Sequence, residues 1–324
     1  MNRREVLAAL SLATLWSSSG FAQESRRVPV VGMLITHPPV TDPVVEALRT
    51  GLRQNGYEDG RNIRLEVRTA SGQLERVPAL AAELVRLGVD VIVLANEPAL
   101  RAVTQATSTI PVVMAGYTDD PAAIGWIASY RRPGGNVTGV FTVNAALIPK
   151  HLELLKETLP NTVRVAVLWD PAFGKRQLEQ VKRVAPHLGL QAQFIEVRSA
   201  RDITPAFDTA RRMKAGAILV VWTPLLYVHR ERVAALGLET KLPMITDMSA
   251  LAEAGALLSY GSRGNASFER AGYYVDRLLK GAKASELPVE QMSNIKLLVN
   301  MKTAKALGIT IPQSILLRAD EVIR

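Results

Sequence analysis

Asp119 and Asp120, side by side in GYTDDPAA, are the carboxylates most suited by type and spacing to chemistry. Such a pair can hold a divalent cation or share a proton as an acid–base dyad. Pro121 argues for something plainer, because an aspartate just before a helix-opening proline is an N-cap. The 4 histidines, His37, His151, His187 and His229, are spread over the chain. His151 and His187 fall in stretches of helical pattern, where a surface or capping place is expected. No G-x-S-x-G, H-E-x-x-H or Walker sequence occurs, and no G-x-G-x-x-G follows a strand. GSRGN (261–265) follows a strand and opens a helix, as a dinucleotide loop would. It lacks the third glycine and the later acidic residue such a loop requires. With 0 cysteines, disulfides, thiolate catalysis and thiolate metal sites are excluded. The reading is a chain with no catalytic residues, no metal and no cofactor.

The elements that must position any site alternate strand and helix. VPVVGMLI, NIRLEVRT, DVIVLA and IPVVMA read as strands, each followed by an amphipathic or capped segment: DPVVEALRTGLRQNG, QLERVPALAAELVRLGV, EPALRAVTQATS and the short DPAAIGWIASY. The rhythm restarts with RVAVLWD, LQAQFIEV, GAILVVW, LPMITD and ALLSYG, separated by helices. Alternation of this kind builds parallel sheets with right-handed crossovers. Near-continuous apolar strands mean that helices cover both faces of each sheet. The fold class is therefore α/β, with two doubly wound parallel-sheet lobes. GNASFERAGYYVDRLLKG (264–281) adds a long helix, and a strand-like run and a short helix follow it. This last block is too small for a domain of its own, so the chain crosses between lobes three times. The expected division is residues 23–141 plus 262–285 in lobe 1, and 142–261 plus 286–324 in lobe 2.

In open parallel sheets, ligands bind in the crevice at the carboxyl ends of the strands. The loops there hold Thr36 and His37, Asn96 and Glu97, Gly116 to Asp120, Trp169 to Phe173, Thr223, Asp247 and Tyr260. Short hydrogen-bonding groups beside helix N-termini suit a carboxylate or another anionic group. Trp169, Phe173, Trp222 and Tyr227 sit at or just after strand ends, where they either clamp an apolar ligand or pack domain edges.

The charge is +9, but the basic residues are scattered and aromatics make up only 5% of the chain, which gives no nucleic-acid surface. Arg3 and Arg4, the apolar run Val6–Trp16 and small residues at Gly20 and Ala22 have the layout of a bacterial export signal, residues 1–22. The apolar run falls short of the roughly 20 residues that span a bilayer, and Arg3-Arg4 also fits the twin-arginine variant. The chain is thus expected to be exported and periplasmic. RRPGGNVTG (131–139) resembles a phosphate cradle in composition, but a cradle follows a strand and opens a helix, whereas these glycines precede one. Its sequon has no use behind a bacterial export signal. What remains is a turn at Gly134-Gly135 approaching a hinge, with the bend itself near Thr142–Asn144.

Over essentially its whole length the sequence resembles the ABC transporter substrate-binding proteins that include tryptophan- and tyrosine-binding lipoproteins. The stretches that carry this resemblance are GLRQNGYEDGRNIRLEVR, VPALAAELVRLGVDVIV, TSTIPVVMAGYTDDPAAIGWIASYRRPGGNVTGV, HLELLKETLPNTVRVAVLWDP, AGYYVDRLLKGAKASELPVEQ and LLVNMKTAKALGITIPQSILLRADEVI. The resemblance implies a type 1 periplasmic binding fold, two lobes closing on a small ligand, and delivery to an ABC permease and its ATPase. It implies no enzyme activity. The expected ligand is an amino acid or other carboxylate, and the expected ligand-binding residues are Thr36, His37, Asn96, Glu97, Asp119, Asp120, Asn144, Asp170, Phe173, Thr223, Asp247 and Tyr260. WDPAFGK and ITDMSALAEAG depart from the family's usual Asn-Pro and Tyr-Pro-Trp patterns, so a relative's ligand does not transfer automatically. An exported sensor presenting its bound state to a membrane receptor would use the same fold. A glycosyltransferase would need a nucleotide loop, and a transcription regulator a helix-turn-helix where the export signal stands.

Overall fold

The runs of β-branched and aliphatic residues become strands, and the amphipathic runs between them return the chain to the next strand. The computed structural model describes residues 27–36, 43–262 and 266–324. The export-signal assignment and His37 therefore lie outside the described residues.

The first sheet contains β1 (Val30–Ile35), β2 (Arg64–Thr69), β3 (Val91–Leu94), β4 (Val112–Tyr117), β5 (Val137–Phe141) and β11 (Glu290–Gln291), in the order β11-β5-β4-β3-β1-β2. Every pair in it is parallel. α2 (Val77–Arg86) and α3 (Glu97–Ala106) cover one face through Leu84, Leu100 and Val103. α1 (Pro43–Gln54) and α10 (Ala266–Leu279) cover the other through Leu48, Ala271 and Val275.

The second sheet contains β6 (Arg164–Trp169), β7 (Gln191–Glu196), β8 (Ala217–Val220), β9 (Met244–Thr246), β10 (Leu258–Ser262), β12 (Ile295–Asn300) and β13 (Glu321–Ile323), in the order β13-β12-β10-β9-β8-β6-β7. α4 (Asn144–Thr158), α5 (Lys175–Val184), α11 (Met301–Leu307) and α12 (Gln313–Arg318) pack on one face. α6 (Ile203–Arg212), α7 (Pro224–Val228), α8 (Arg230–Glu239) and α9 (Ser249–Ala254) pack on the other.

Three details differ from the sequence reading. First, β12 runs antiparallel to β10, because it enters its sheet from the cleft end, where the other strands leave. Second, β11 pairs with β5, so the chain returns to the second sheet at residues 292–294 rather than at 285/286. Two residues of strand in LPVEQ carry no periodicity from which that could be read. Third, residues 121–130 form turns rather than a helix. Gly125 adopts φ +81°, a left-handed setting that breaks helical hydrogen bonding.

Candidate functional site

Between the two sheets lies a cleft of about 560 Å³, walled by the carboxyl ends of strands from both. α1, α3, α4 and α10 all begin at it, contributing Val44, Asn96, Asn144 and Ser267 to its lining. Their N-terminal N–H groups and dipoles give the cleft positive poles despite the absence of Lys, Arg or His among its described lining residues. The charged groups that do line it are Asp247, Glu253 and Glu269, and its aromatic faces are Trp222, Tyr227 and Phe268.

Asp247 follows β9 at the strand end. Its Oδ2 accepts a hydrogen bond of 2.7 Å from Asn144 Nδ2. Its Oδ1 is closed off from solvent and has no partner. Burial pushes the carboxyl up to about 7, against the hydrogen bond from Asn144. Gly261 on β10 makes its placement possible, since a Cβ there would stand 2.0 Å from the Asp247 carbonyl oxygen.

Of the residues expected to bind ligand, Asn96, Asn144 and Asp247 line the cleft together. Most of the others are engaged nearby. Asn96 Oδ1 caps α3 through Ala99 N at 3.1 Å, while its Nδ2 donates to Thr36 Oγ1 at 2.8 Å, so buried Thr36 backs the wall. Thr223 caps α7 through Leu226 N. Asp170 accepts from Ala172 N, and burial raises its pKa above the usual range. Asp120 accepts from Ala122 and Ala123 N and from the Tyr130 hydroxyl, capping a turn instead of the expected helix. Glu97 pairs with Arg101. Phe173 stands edge-on to Trp222, with centroids 6.4 Å apart, and so supports a lining residue from behind. The Tyr260 carbonyl accepts from His151 Nε2 at 2.6 Å. Asp119 faces Arg176 of α5 at 3.7 Å, an ion pair that joins the lobes. Burial raises the Asp119 pKa, and Arg176 opposes that rise. Among the described residues no group of three or more His, Asp or Glu is placed to hold a metal ion.

His151 is not the surface or capping residue its helical context suggested. It is fully buried, and burial lowers its pKa to about 4, which keeps it neutral with Nε2 as the donor. The signal was available, because Ile148, Leu152 and Leu155 place it on the apolar face of α4. Thr118 lines the cleft from a loop expected there, whereas Ser262, Ser267, Phe268 and Glu269 line it without having been expected. Ser267, Phe268 and Glu269 come from the start of α10, which only the second crossing brings to this place.

A sequence model of ABC transporter substrate binding proteins matches residues 28–323. The chain belongs to this family. The ABC substrate-binding protein described here is 26% identical over 286 residues to the tyrosine-binding protein of Clostridioides difficile (strain R20291), covering 86% of this chain and 79% of that one. An ABC domain from Streptococcus pneumoniae, solved in complex with L-Trp, superposes with TM-score 0.82 at 30% identity, covering 92% of this chain and 100% of that one. A conserved domain protein from Vibrio cholerae O1 biovar El Tor gives TM-score 0.83 at 27% identity, covering 91% and 100%. The two lobes have the type 1 periplasmic binding protein fold. ABC substrate-binding proteins bind small solutes outside the cytoplasm and catalyse no reaction. Among the described residues no helix is long and apolar enough to cross a membrane.

Proposed function

We propose that this ABC substrate-binding protein is exported to the periplasm, captures an L-amino acid with an aromatic side chain, and delivers it to a membrane permease with its ATPase. The observation that carries the reading is the buried, partnerless Oδ1 of Asp247 in a cleft whose described lining holds no basic side chain. The ligand's ammonium sits on Asp247, where it replaces the missing partner and favours the charged carboxylate. The carboxylate lies toward the N-termini of α3 and α10, beside Asn96 and Ser267. Trp222, Tyr227 and Phe268 supply faces for an aromatic side chain. The relatives named for tyrosine and solved with L-Trp support the same ligand class. The twin-arginine pair Arg3-Arg4 supports export by that route.

A thermal-shift screen of the full chain against the L-amino acids tests this. An aromatic L-amino acid is expected to raise Tm, because ligand binds the folded state. Its analogue lacking the amino group is expected to do nothing. Equal shifts from amine-free analogues, or turnover of any hit, would overturn the reading.

A further inference from the structure

The first crossing between the lobes carries a run of hydrogen bonds that ends at the site. Thr142 N donates to the Tyr117 carbonyl at 2.6 Å, and Asn144 N to the Thr118 carbonyl at 3.3 Å, fixing the crossing to lobe 1. The Thr142 hydroxyl is buried and donates to Asn144 Oδ1 at 2.9 Å, with the Tyr117 carbonyl a longer 3.4 Å away. Asn144 Nδ2 then donates to Asp247 Oδ2 at 2.7 Å. A hydroxyl has one proton and an amide has two distinct ends. With the Thr142 proton on Oδ1, the N–H end of the Asn144 amide must face the carboxylate. Were the amide reversed, its carbonyl would confront Asp247 and the Thr142 proton would lose its nearer acceptor.

We propose that Thr142 is a positioning residue for ligand capture: its hydroxyl sets the Asn144 amide so that Asp247 is held ready for a ligand's ammonium when the crossing is in its closed setting. The proposal rests on the amino-acid reading for what Asp247 binds, but not for how Asp247 is held. The hold joins the crossing to a carboxylate 103 residues further along the chain, so it lasts only while the crossing keeps this setting. Capture is thereby linked to the first crossing through a side chain that lines the cleft and acts by holding the Asn144 amide.

The test removes the hydroxyl and keeps the shape: Thr142→Val in the full chain, with Thr142→Ser as the conservative return. Without ligand, the Asp247 carboxyl is followed by carbon NMR against pH, with Asp247→Asn assigning its signal. The wild-type midpoint is expected near 7. Valine is expected to move it upward by at least about half a pH unit, because a freed amide no longer stabilises the charged form. Serine is expected to bring it back. Among the described residues, the other titratable groups at or behind the cleft beside Asp247 are Glu253 of α9, Glu269 of α10, Tyr227 of α7, Tyr260 of β10 and His151 of α4. All are the same in the three proteins. With L-tryptophan as probe, valine is expected to weaken binding about threefold or more at pH 6 and much less at pH 9, where the carboxyl is ionised in either protein. A valine variant that titrates like wild type overturns the proposal, as does a serine variant that fails to restore. Should valine not fold, Thr142→Ala makes the same removal. If Asp247→Asn still binds L-tryptophan, the amino-acid reading fails, while the ligand-free titration still decides the role of Thr142.

Discussion

At the residue scale, Asp247 sets stability against function. Its folded pKa of about 7 stands above the 3.8 that the carboxyl has in the unfolded chain. Below about pH 4 the carboxyl is protonated in both states and costs nothing. Between about 4 and 7 the unfolded chain releases the proton first, so stability falls as pH rises. Asp247→Asn is therefore expected to melt higher than wild type at pH 8, by an amount on the order of 2 kcal/mol. The advantage should vanish at pH 4. Melting curves at the two pH values check this, and no pH-dependent gain would mean that the carboxyl is solvated. The same variant should lose the amino-acid ligand, as expected where a binding group is held in a destabilising place. Little of this was legible in sequence. ITDMS places an aspartate at a strand end, but what buries it comes from Asn144 and Gly261.

At the element scale, the cleft depends on how α10 sits against α1. Gly51 and Gly272 cross backbone to backbone, so a Cβ on Gly272 would stand 2.3 Å from the Gly51 carbonyl carbon. A Cβ on Gly51 would stand 2.0 Å from the Glu269 carbonyl oxygen. Gly272→Ala must push α10 away from α1, and with it Ser267, Phe268 and Glu269 in the cleft wall. The expected loss is about 2–4 kcal/mol in denaturant unfolding, with weaker ligand binding among the molecules that fold. Unchanged stability would show that the crossing has room. Strands and most helices were legible here because their apolar residues repeat with the right period. The helix expected over residues 121–130 was not found, because hydrogen bonds to Asp120 and the setting of Gly125 favour turns. The pairing of β11 with β5 was equally invisible, since it is decided by Arg270, which clamps Glu290 at 2.6 Å from the side of α10.

At the scale of the whole molecule, closing two lobes on a solute requires contacts that exist only when the lobes meet. Asp119 and Arg176 make one across the cleft, with Asp119 largely withdrawn from water and Arg176 nearly half exposed. With one partner open to solvent, a pair of this kind contributes up to about 1 kcal/mol. Arg176→Gln is thus expected to weaken ligand binding by about fivefold or less, acting on the dissociation rate. The effect should shrink as salt rises toward the molar range, since ions screen the pair in wild type. Titration calorimetry at two salt concentrations, with X-ray scattering to follow compaction, decides this. Equal affinity at low salt would remove the pair from the closed state.

The amino-acid sequence by itself determined the local periodicities, and these settle the α/β class, the two sheets and the strand ends around which a cleft must form. Family-specific stretches such as AGYYVDRLLKG and HLELLKETLPN carried the kinship with solute-binding proteins. Tertiary structure alone decided which polar side chains at those strand ends are free. Thr36, Asp120, Asp170 and Thr223 are engaged in caps and turns, or in hydrogen bonds to neighbouring side chains. Asp247, identical in type to several of them, keeps an oxygen without a partner. Hydrogen bonds within a turn form between residues a few positions apart, and sequence pattern reports them. The bond from Asn144 to Asp247 and the packing of Gly261 on its backbone join residues that only the crossings between lobes bring together, and no local pattern encodes such a meeting.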